Sequence, residues 1–140
     1  MAFDIVRFTA AGFGGHGNAL GLRYHDHGED WAELALPYQH RLAGDADSGA
    51  LAAGPIIAML DMATSLAVWL KRRRFAHQAT LDLRVDQIRR ARAGGTVFGR
   101  GECVALTGSI AFVRGVAYDQ DIGDPLAQVA GTFMLMDRLS

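Results

Sequence analysis

The chain has 140 residues, of which 50% are apolar, with a formal net charge of -1 and an isoelectric point of about 6.5. This length predicts a single domain over residues 1–140 with enough chain to bury a substantial core. The balanced charge excludes a global field for nucleic acid or an anionic membrane surface. The single cysteine, Cys103, excludes an internal disulfide and a multi-cysteine zinc site.

The first third of the sequence predicts a helix, a loop and a hairpin. Residues 3–10 predict a short helix, and the glycine-rich residues 12–21 predict a flexible loop. That loop lacks the Lys-Ser/Thr ending of a phosphate-binding loop, so nucleotide binding is not favoured. Residues 20–25 and 31–36 then predict two hairpin strands. Because no signal-peptide pattern opens the chain, we expect a cytoplasmic protein.

A long apolar run at residues 54–70 follows a polar loop at 44–49 and predicts one buried helix. The basic residues 71–74 give this run the flank of a membrane helix. A membrane span is nevertheless not favoured, because Asp61 would lie near the bilayer centre and Gly54-Pro55 interrupts the run. The strands that follow also need a helix to cover them.

Asp61 is the only charged residue of this run. A buried carboxylate without a partner is costly, so the residue requires a structural or functional reason. Thr64 and Ser65 lie three and four positions further on and are expected to share its helical face. Two interpretations remain open: a functional carboxylate, or a core aspartate satisfied by these hydroxyls and a backbone N–H.

Four strands are predicted after the helix, at residues 79–85, 96–106, 109–118 and 126–136, with glycine-containing or polar turns between them. In the first, Ala79, Leu81, Leu83 and Val85 alternate with polar residues, which predicts one buried face. The order of elements predicts an α+β fold in which one antiparallel curved sheet wraps around the long central helix. One face of that sheet stays uncovered, so we expect a homodimer or homotetramer.

Taken in order, these segments resemble the hotdog-fold acyl-CoA thioesterases, most closely the PaaI-type group of phenylacetate degradation. The resemblance is carried by residues 54–63 (Gly-Pro-Ile-Ile-Ala-Met-Leu-Asp-Met-Ala), 79–85, 90–94, 108–113 and 129–133, and it covers residues 20–136. It implies the hotdog fold and hydrolysis of an acyl-CoA thioester. It implies no metal and no cofactor beyond the coenzyme A of the substrate.

The resemblance also implies catalytic roles. Asp61 matches the aspartate that acts as general base or nucleophile, and the backbone N–H of Ala53 matches the oxyanion donor. Gly54 would allow close backbone approach, while the helix dipole would favour the developing oxyanion. Thr80 matches a hydroxyl residue that reaches the site from the partner subunit to orient the water or the carboxylate. From the residues alone, a solvent-facing strand threonine is the favoured interpretation of Thr80.

The sequence departs from the family at one position. Ala52 stands where the family carries a histidine, which puts the rate and the substrate in question more than the fold. A polar residue that many members carry further upstream falls near Ala46 here. Its neighbours Asp45, Asp47 and Ser48 could supply a substitute.

The sequence also offers candidate substrate-binding residues. Ala52, Thr64 and Ser65 are expected near the thioester, and the apolar lining is expected to include Ile57, Met62 and Trp69. Arg89 and Arg90, at a strand end, are the candidates for the coenzyme A phosphates. The basic residues 71–74 are interpreted as a solvated helix end.

Other sites and functions are less well supported. His25 and His27 could share a strand face as metal ligands, but no third ligand has suitable spacing. No serine has the context of a nucleophile elbow. Two alternatives to a thioesterase remain: a non-catalytic acyl-CoA-binding hotdog protein, and a hotdog hydratase or dehydratase. The second generally needs a histidine that this helix lacks.

Overall fold

One antiparallel sheet and one long helix organise the chain. The computed structural model describes residues 3–10, 12–44 and 47–136. The helices are α1 (Ile5–Ala10), α2 (Gly15–Leu20) and α3 (Ala53–Arg72). The strands are β1 (Arg23–His27), β2 (Trp31–Leu36), β3 (Gln78–Gln87), β4 (Val97–Thr107), β5 (Ile110–Tyr118) and β6 (Ala127–Leu135). The six strands are arranged in the order β1-β2-β4-β5-β6-β3, and the sheet curves around α3.

The core lies between α3 and the inner face of the sheet. Met59, Leu60, Ala63 and Leu66 of α3 are fully buried, as are the inward-facing Ala32, Leu34 and Leu36 of β2. α3 is long and apolar enough to cross a membrane, a property it shares with the core helices of soluble proteins. In this structure the sheet covers it, which agrees with the expected core helix.

Gly101 sets how closely the helix packs on the sheet. A Cβ at this position of β4 would lie 2.4 Å from the backbone N of Thr64 and 2.5 Å from the carbonyl carbon of Ala63. Only a glycine permits this backbone-to-strand contact. It fixes the middle of α3 over the centre of the sheet, and it thereby fixes the height of Asp61 above the sheet.

β3 is an edge strand, and in the described part of the chain it pairs with β6 alone. A register shift between Thr80 and Asp82 interrupts its alternation. Leu83 and Val85 pack against the core, whereas Leu81 is 52% exposed. The predicted buried face of this strand is therefore correct only for its second half.

The first segments differ from the sequence-based expectation. Residues 15–20 form the helix α2, which ends at Gly21 in the left-handed conformation with φ 77°. The predicted flexible loop was therefore wrong over these residues, and the first strand begins only at Arg23. A 3-10 turn at His40–Leu42 was not predicted. The second strand and the four later strands agree with prediction to within two residues at each end.

Candidate functional site

The side chains of Asp61 and Thr80 meet between α3 and β3. The Thr80 hydroxyl donates a hydrogen bond to Asp61 Oδ1 at 2.9 Å. Asp61 is half-buried, and Thr80 is exposed on the edge strand. The bond forms within one chain, so the expectation that Thr80 reaches the carboxylate from a partner subunit was wrong. Because the hydroxyl fixes one carboxylate oxygen, the other oxygen is left to act on a ligand.

Two further hydrogen bonds continue this contact along the helix. Gln78 Nε2 donates to the backbone carbonyl of Ser65 at 2.9 Å, and Trp69 Nε1 donates to the carbonyl of Ala76 at 2.8 Å. Along α3 the bonded residues are four positions apart, which keeps them on one helix face. Their partners at residues 76–80 are two positions apart, the spacing of side chains on one strand face. We call this series, in which Asp61, Ser65 and Trp69 meet Thr80, Gln78 and Ala76, the helix–edge lane.

Thr64 does not belong to the lane. Its hydroxyl donates to the backbone carbonyls of Leu60 and Asp61 at 2.8 and 3.0 Å, and the residue is fully buried where α3 meets Gly101. The expectation that Thr64 shares the Asp61 face and contacts substrate was wrong. Adjacent helix positions are separated by about 100°, which turns Thr64 toward β4 while Ser65 stays beside β3.

The start of α3 presents backbone donors. Ala52 precedes the helix in an extended conformation, without a side-chain cap, and the first turn contains no acidic residue. The first N–H groups of a helix have no intrahelical acceptor. A Cβ on Gly54 would meet nothing within 4 Å, so no contact in this chain requires the glycine. The helix start therefore suits an anionic or strongly polar ligand atom.

A cleft of about 410 Å³ opens beside this helix start. One wall is formed by the loop before α3 and the first helical residues, including Ser48, Ala52, Ala53 and Ile56, and the other by residues 87–91. The structure thus brings the predicted oxyanion donor close to the predicted phosphate-binding arginines. Ala46, where the family's polar residue falls, and Asp45, one of its possible substitutes, lie outside the described residues, whereas Ser48, another possible substitute, lines the cleft.

Arg89 is a correction to the predicted phosphate site. Its Nη2 donates to Asp119 Oδ1 at 2.9 Å and to the carbonyl of Asp124 at 2.9 Å, and its Nε lies 3.4 Å from Asp124 Oδ1. This guanidinium ties the segment after β3 to the turn between β5 and β6. Arg90 is exposed on the rim of the cleft and stays the better candidate for an anionic ligand.

Asp119 is the anchor of that turn. Its side chain is only 2% exposed and also accepts a hydrogen bond from the backbone N–H of Arg92 at 2.9 Å. The hydrogen bond from Arg89 and the bond from Arg92 hold the pKa of the Asp119 carboxyl below its usual value, against the opposing effect of burial. The ionised carboxylate therefore stabilises the wall of the cleft.

Asp61 and the donor at Ala53 do not converge within one chain. They are separated by eight positions of one continuous helix, which corresponds to about 12 Å along its axis. A carboxylate and an oxyanion donor that serve one carbonyl must both lie within hydrogen-bond reach of it. The two predicted catalytic elements can act together only if a second copy of the chain supplies one of them.

The predicted apolar lining is divided between two places. Ile57 and Met62 are half-buried on α3. Trp69 lies at the far end of the lane, where its ring centroid is 4.6 Å from that of Phe75 and 5.4 Å from that of Phe8. This aromatic cluster closes the lane at the C-terminal end of α3.

A second buried carboxylate, Glu33, lies on the outer face of the sheet and has a structural explanation. It is 2% exposed, and it is hydrogen-bonded to His25 Nδ1 at 2.7 Å and accepts from Arg100 Nε at 3.0 Å. Burial, with a contribution from Glu33, raises the pKa of Tyr118 to about 12. Among the described residues, no group of three His, Cys, Asp or Glu side chains is placed to hold a metal ion.

The sequence did not identify Gln78 as a site residue. Its spacing of two from Thr80 on a predicted strand was the available signal, because alternate strand residues share a face. The expected roles of Ala52, Ala53 and Gly54 depend on a ligand, and their positions at the helix start agree with the prediction.

Comparison with known proteins identifies the family. The model of the thioesterase superfamily matches residues 49–126, a segment that includes all of α3 and the strands from β3 to β5. The chain belongs to the thioesterase superfamily. A protein from Pseudomonas aeruginosa with a solved structure is 35% identical, with 93% of this chain and 95% of that chain covered and a TM-score of 0.81.

Two further solved structures place this thioesterase-superfamily chain among hotdog proteins. A thioesterase from Haemophilus influenzae is 21% identical with a TM-score of 0.85, and the match covers 100% of this chain and 95% of that chain. The phenylacetic acid degradation protein PaaI from Thermus thermophilus, as a mutant, is 25% identical with a TM-score of 0.72 and coverage of 85% and 96%. No curated protein matches the chain at a comparable level. The predicted PaaI-type hotdog resemblance and fold are confirmed.

Proposed function

We propose that this protein is an acyl-CoA thioesterase with Asp61 as its general base. The observation that carries the proposal is the hydrogen bond from Thr80 to Asp61, which orients the only carboxylate of α3 beside an open strand edge. Membership of the thioesterase superfamily supports the reaction class. General acid–base catalysis by one positioned side chain contributes typically about 10² to 10⁴ in rate.

The chemistry is hydrolysis by an activated water. Asp61 removes a proton from a water molecule as the water oxygen attacks the thioester carbonyl carbon. The tetrahedral intermediate carries its negative charge on the former carbonyl oxygen, which accepts hydrogen bonds at a helix start. The intermediate then expels the coenzyme A thiolate, which takes up the proton held by Asp61. The products are a carboxylic acid and coenzyme A.

The catalytic site is composite. Since Ala53 lies about 12 Å along the helix from Asp61 in one chain, the oxyanion donor is the N–H of Ala53 in a second copy. The exposed edge of β3, with Leu81 outermost, is the surface on which that copy docks. The protein then acts as a homodimer, or as a homotetramer of two such pairs, with two equivalent sites.

The substrate extends from the cleft of the second copy to Asp61 of the first. The coenzyme A end lies near Arg90, whose guanidinium suits a phosphate. The thioester lies at Asp61, and the acyl group packs against the apolar residues Ile57 and Met62 of α3. In this arrangement the expected residues Ala52, Ile57, Met62 and Ser65 contact the substrate but take no part in the reaction.

The direct test is thiol release from short, medium and aromatic acyl-CoA substrates. Asp61→Asn preserves the volume and the acceptor for Thr80 but removes the base, so turnover should fall by about two orders of magnitude or more. Asp82→Asn is the matched control, because Asp82 is an exposed aspartate of β3, the strand that carries Thr80. Full activity in Asp61→Asn would show that Asp61 is not the general base.

A second candidate function is non-catalytic binding of acyl-CoA. It is favoured by Ala52, which replaces the family histidine and leaves the helix start without a side-chain cap. Under this alternative the wild-type protein binds several acyl-CoA esters and hydrolyses none of them. Measuring affinity and thiol release on the same substrates separates the two functions.

A further inference from the structure

A second cavity lies at the C-terminal end of α3, away from the helix start. Its volume is about 620 Å³, which is within the range of small-molecule sites. One wall is the end of the helix, with Leu70, Lys71 and Arg73, and the other is the turn between β1 and β2, with Glu29 and Asp30. The helix wall is about 15 Å along α3 from the proposed general base. The cavity is therefore separate from the proposed active site.

The two walls carry opposite charges that do not neutralise one another. Among the described residues, neither Lys71 nor Arg73 forms an ion pair with Glu29 or Asp30, so the charged atoms stand more than 4.0 Å apart across the cavity. Lys71 and Asp30 are half-buried, and water screens them only partly. A ligand of a single sign is attracted by one wall and repelled by the other. A ligand that carries both signs is attracted by both walls.

Arg73 has a backbone conformation that normally belongs to glycine. Its φ is 63°, and it is the only non-glycine residue of the described chain with a positive φ. Helices commonly end with glycine at such a position, because a side chain is disfavoured there. The backbone N–H of Arg73, which bonds to the Leu70 carbonyl at 3.1 Å, would be supplied equally by glycine. An arginine placed at this conformational cost indicates a role for its side chain, which lines the cavity.

Backbone hydrogen bonds hold both walls in place. The carbonyl of Asp30 accepts from the N–H of Cys103 at 2.8 Å, which ties the turn to β4. The carbonyl of Arg73 accepts from the N–H of Phe3 at 3.1 Å, which fixes Phe3 at the end of the helix. Phe3 and Leu70 add an apolar surface to the charged lining. A cavity that is already formed requires little ordering when a ligand binds.

We propose that this cavity binds a free α-amino acid with an apolar side chain. The ligand carboxylate accepts hydrogen bonds from Lys71 and Arg73, and the ligand ammonium group donates to Glu29 and Asp30. The apolar side chain of the ligand packs against Phe3. Because an amino acid carries both charges on adjacent groups, it satisfies both walls at once. This inference does not depend on the proposed thioesterase function.

Titration calorimetry tests whether both charges of the ligand are recognised. The ligands are L-phenylalanine, L-leucine, L-phenylalaninamide, which lacks the carboxylate, and N-acetyl-L-phenylalanine, which lacks the ammonium group. Wild-type protein should bind phenylalanine about tenfold or more tightly than either of its derivatives, because each derivative loses charged hydrogen bonds. No binding of phenylalanine or leucine at concentrations up to about 10 mM would overturn the proposal. Equal Kd values for phenylalanine and its two derivatives would overturn it as well.

Two variants assign the walls to the two ends of the ligand. Lys71→Met should weaken binding of phenylalanine and of the N-acetyl derivative but not of the amide. Asp30→Asn should weaken binding of phenylalanine and of the amide but not of the N-acetyl derivative. A general loss of structure would weaken all ligands alike, and that outcome would contradict the assignment. Arg23→Met is the control, because Arg23 is an exposed arginine of β1 outside the cavity lining, and it should bind all ligands as the wild type does.

Arg73→Gly separates binding from folding. Glycine suits the left-handed conformation, so the melting temperature should hold or rise. Binding of phenylalanine should nevertheless weaken by about tenfold, because the guanidinium is lost. A Kd that is unchanged in both Arg73→Gly and Lys71→Met would place the ligand elsewhere and overturn the proposal. Since no acyl-CoA is present in these titrations, their outcome is independent of whether the protein hydrolyses thioesters.

Discussion

Thr80 Oγ1 donates to Asp61 Oδ1 at 2.9 Å, and this bond joins an exposed strand edge to the central helix. A substitution that removes the Thr80 hydroxyl therefore tests the orientation of the carboxylate. The bond restricts the rotation of Asp61 and reserves its second oxygen for a water molecule.

Thr80→Val should lower kcat/KM by about tenfold, because it keeps the shape of the side chain and removes the donor that orients the base. Thr80→Ser should stay near wild type, since it retains the hydroxyl. In an Asp61→Asn background the same change should add little, because residues that act as a unit are non-additive. Thiol-release kinetics on the wild type and these four variants measures this, and full additivity would show that the two side chains act separately.

Gly101 and Gly54 should respond to alanine in opposite ways. Gly101→Ala places a Cβ within 2.4 Å of the α3 backbone, so the free energy of unfolding should fall by roughly 2–3 kcal/mol. Gly54→Ala meets no atom of its own chain and should hold or slightly increase stability. If substrate or a second copy approaches the helix start, Gly54→Ala should nevertheless lower turnover. Urea melts and kinetics on both variants measure these effects, and an unstable Gly54→Ala would contradict them.

Arg89 and Arg90 form a second matched pair. Arg90→Ala should weaken binding of acyl-CoA more than of acyl-pantetheine, and the loss should shrink at high salt because charge interactions are screened. Arg89→Ala should instead lower the melting temperature and affect both substrates equally, since its guanidinium is occupied by Asp119 and Asp124. If Arg89→Ala weakens binding of acyl-CoA more than binding of acyl-pantetheine, Arg89 binds the coenzyme A phosphates as the sequence predicted.

Much of this architecture could be predicted from the sequence. The apolar run around Asp61 and the alternation in the later strands specify one buried helix and a sheet, because both patterns are local. The register shift beside Thr80 could not be predicted, since it depends on pairing with β6. The bonds of Arg89 join residues distant in sequence, and Gln78 has no motif. The separation of Ala53 from Asp61 could also be predicted, because both residues lie on one unbroken helix and its rise per residue fixes their distance.

Asp119 predicts a specific pH dependence of stability. Because its folded-state pKa is lowered, its contribution to stability is fully present above an unfolded-state pKa of about 4 and is lost as pH falls through the folded-state value. Asp119→Asn should therefore be less stable at neutral pH and should show a flatter decline in acid. Urea melts between about pH 3 and pH 7 measure this.

Asp124→Asn is the control for that experiment. Its carboxylate is 65% exposed and lies 3.4 Å from Arg89 Nε, so its removal should change the pH profile little, as for other exposed ion pairs. Identical profiles for Asp119→Asn and the wild type would show that ionisation of Asp119 does not contribute to the pH dependence of stability.

Leu81→Asp should dissociate the homodimer into monomers and abolish turnover at the same time. It introduces a charge at the exposed apolar residue of the β3 edge, where we place the second copy. Val104→Asp is the control, because Val104 is a 48% exposed apolar residue of β4. Light scattering and thiol release should change in the first variant and not in the second. A wild-type protein that is monomeric at micromolar concentration would exclude the composite site.

The strand order has a consequence for how the protein is made. Thr80 follows Asp61 closely along the chain, yet its strand pairs only with β6, so Thr80 finds its register opposite Phe133. Contacts between distant segments form late and slowly in folding. During synthesis on the ribosome, α3 can therefore pack against β4 and β5 long before the hydroxyl partner of Asp61 is held in place. Catalytic competence is expected to be the last property that the nascent chain acquires.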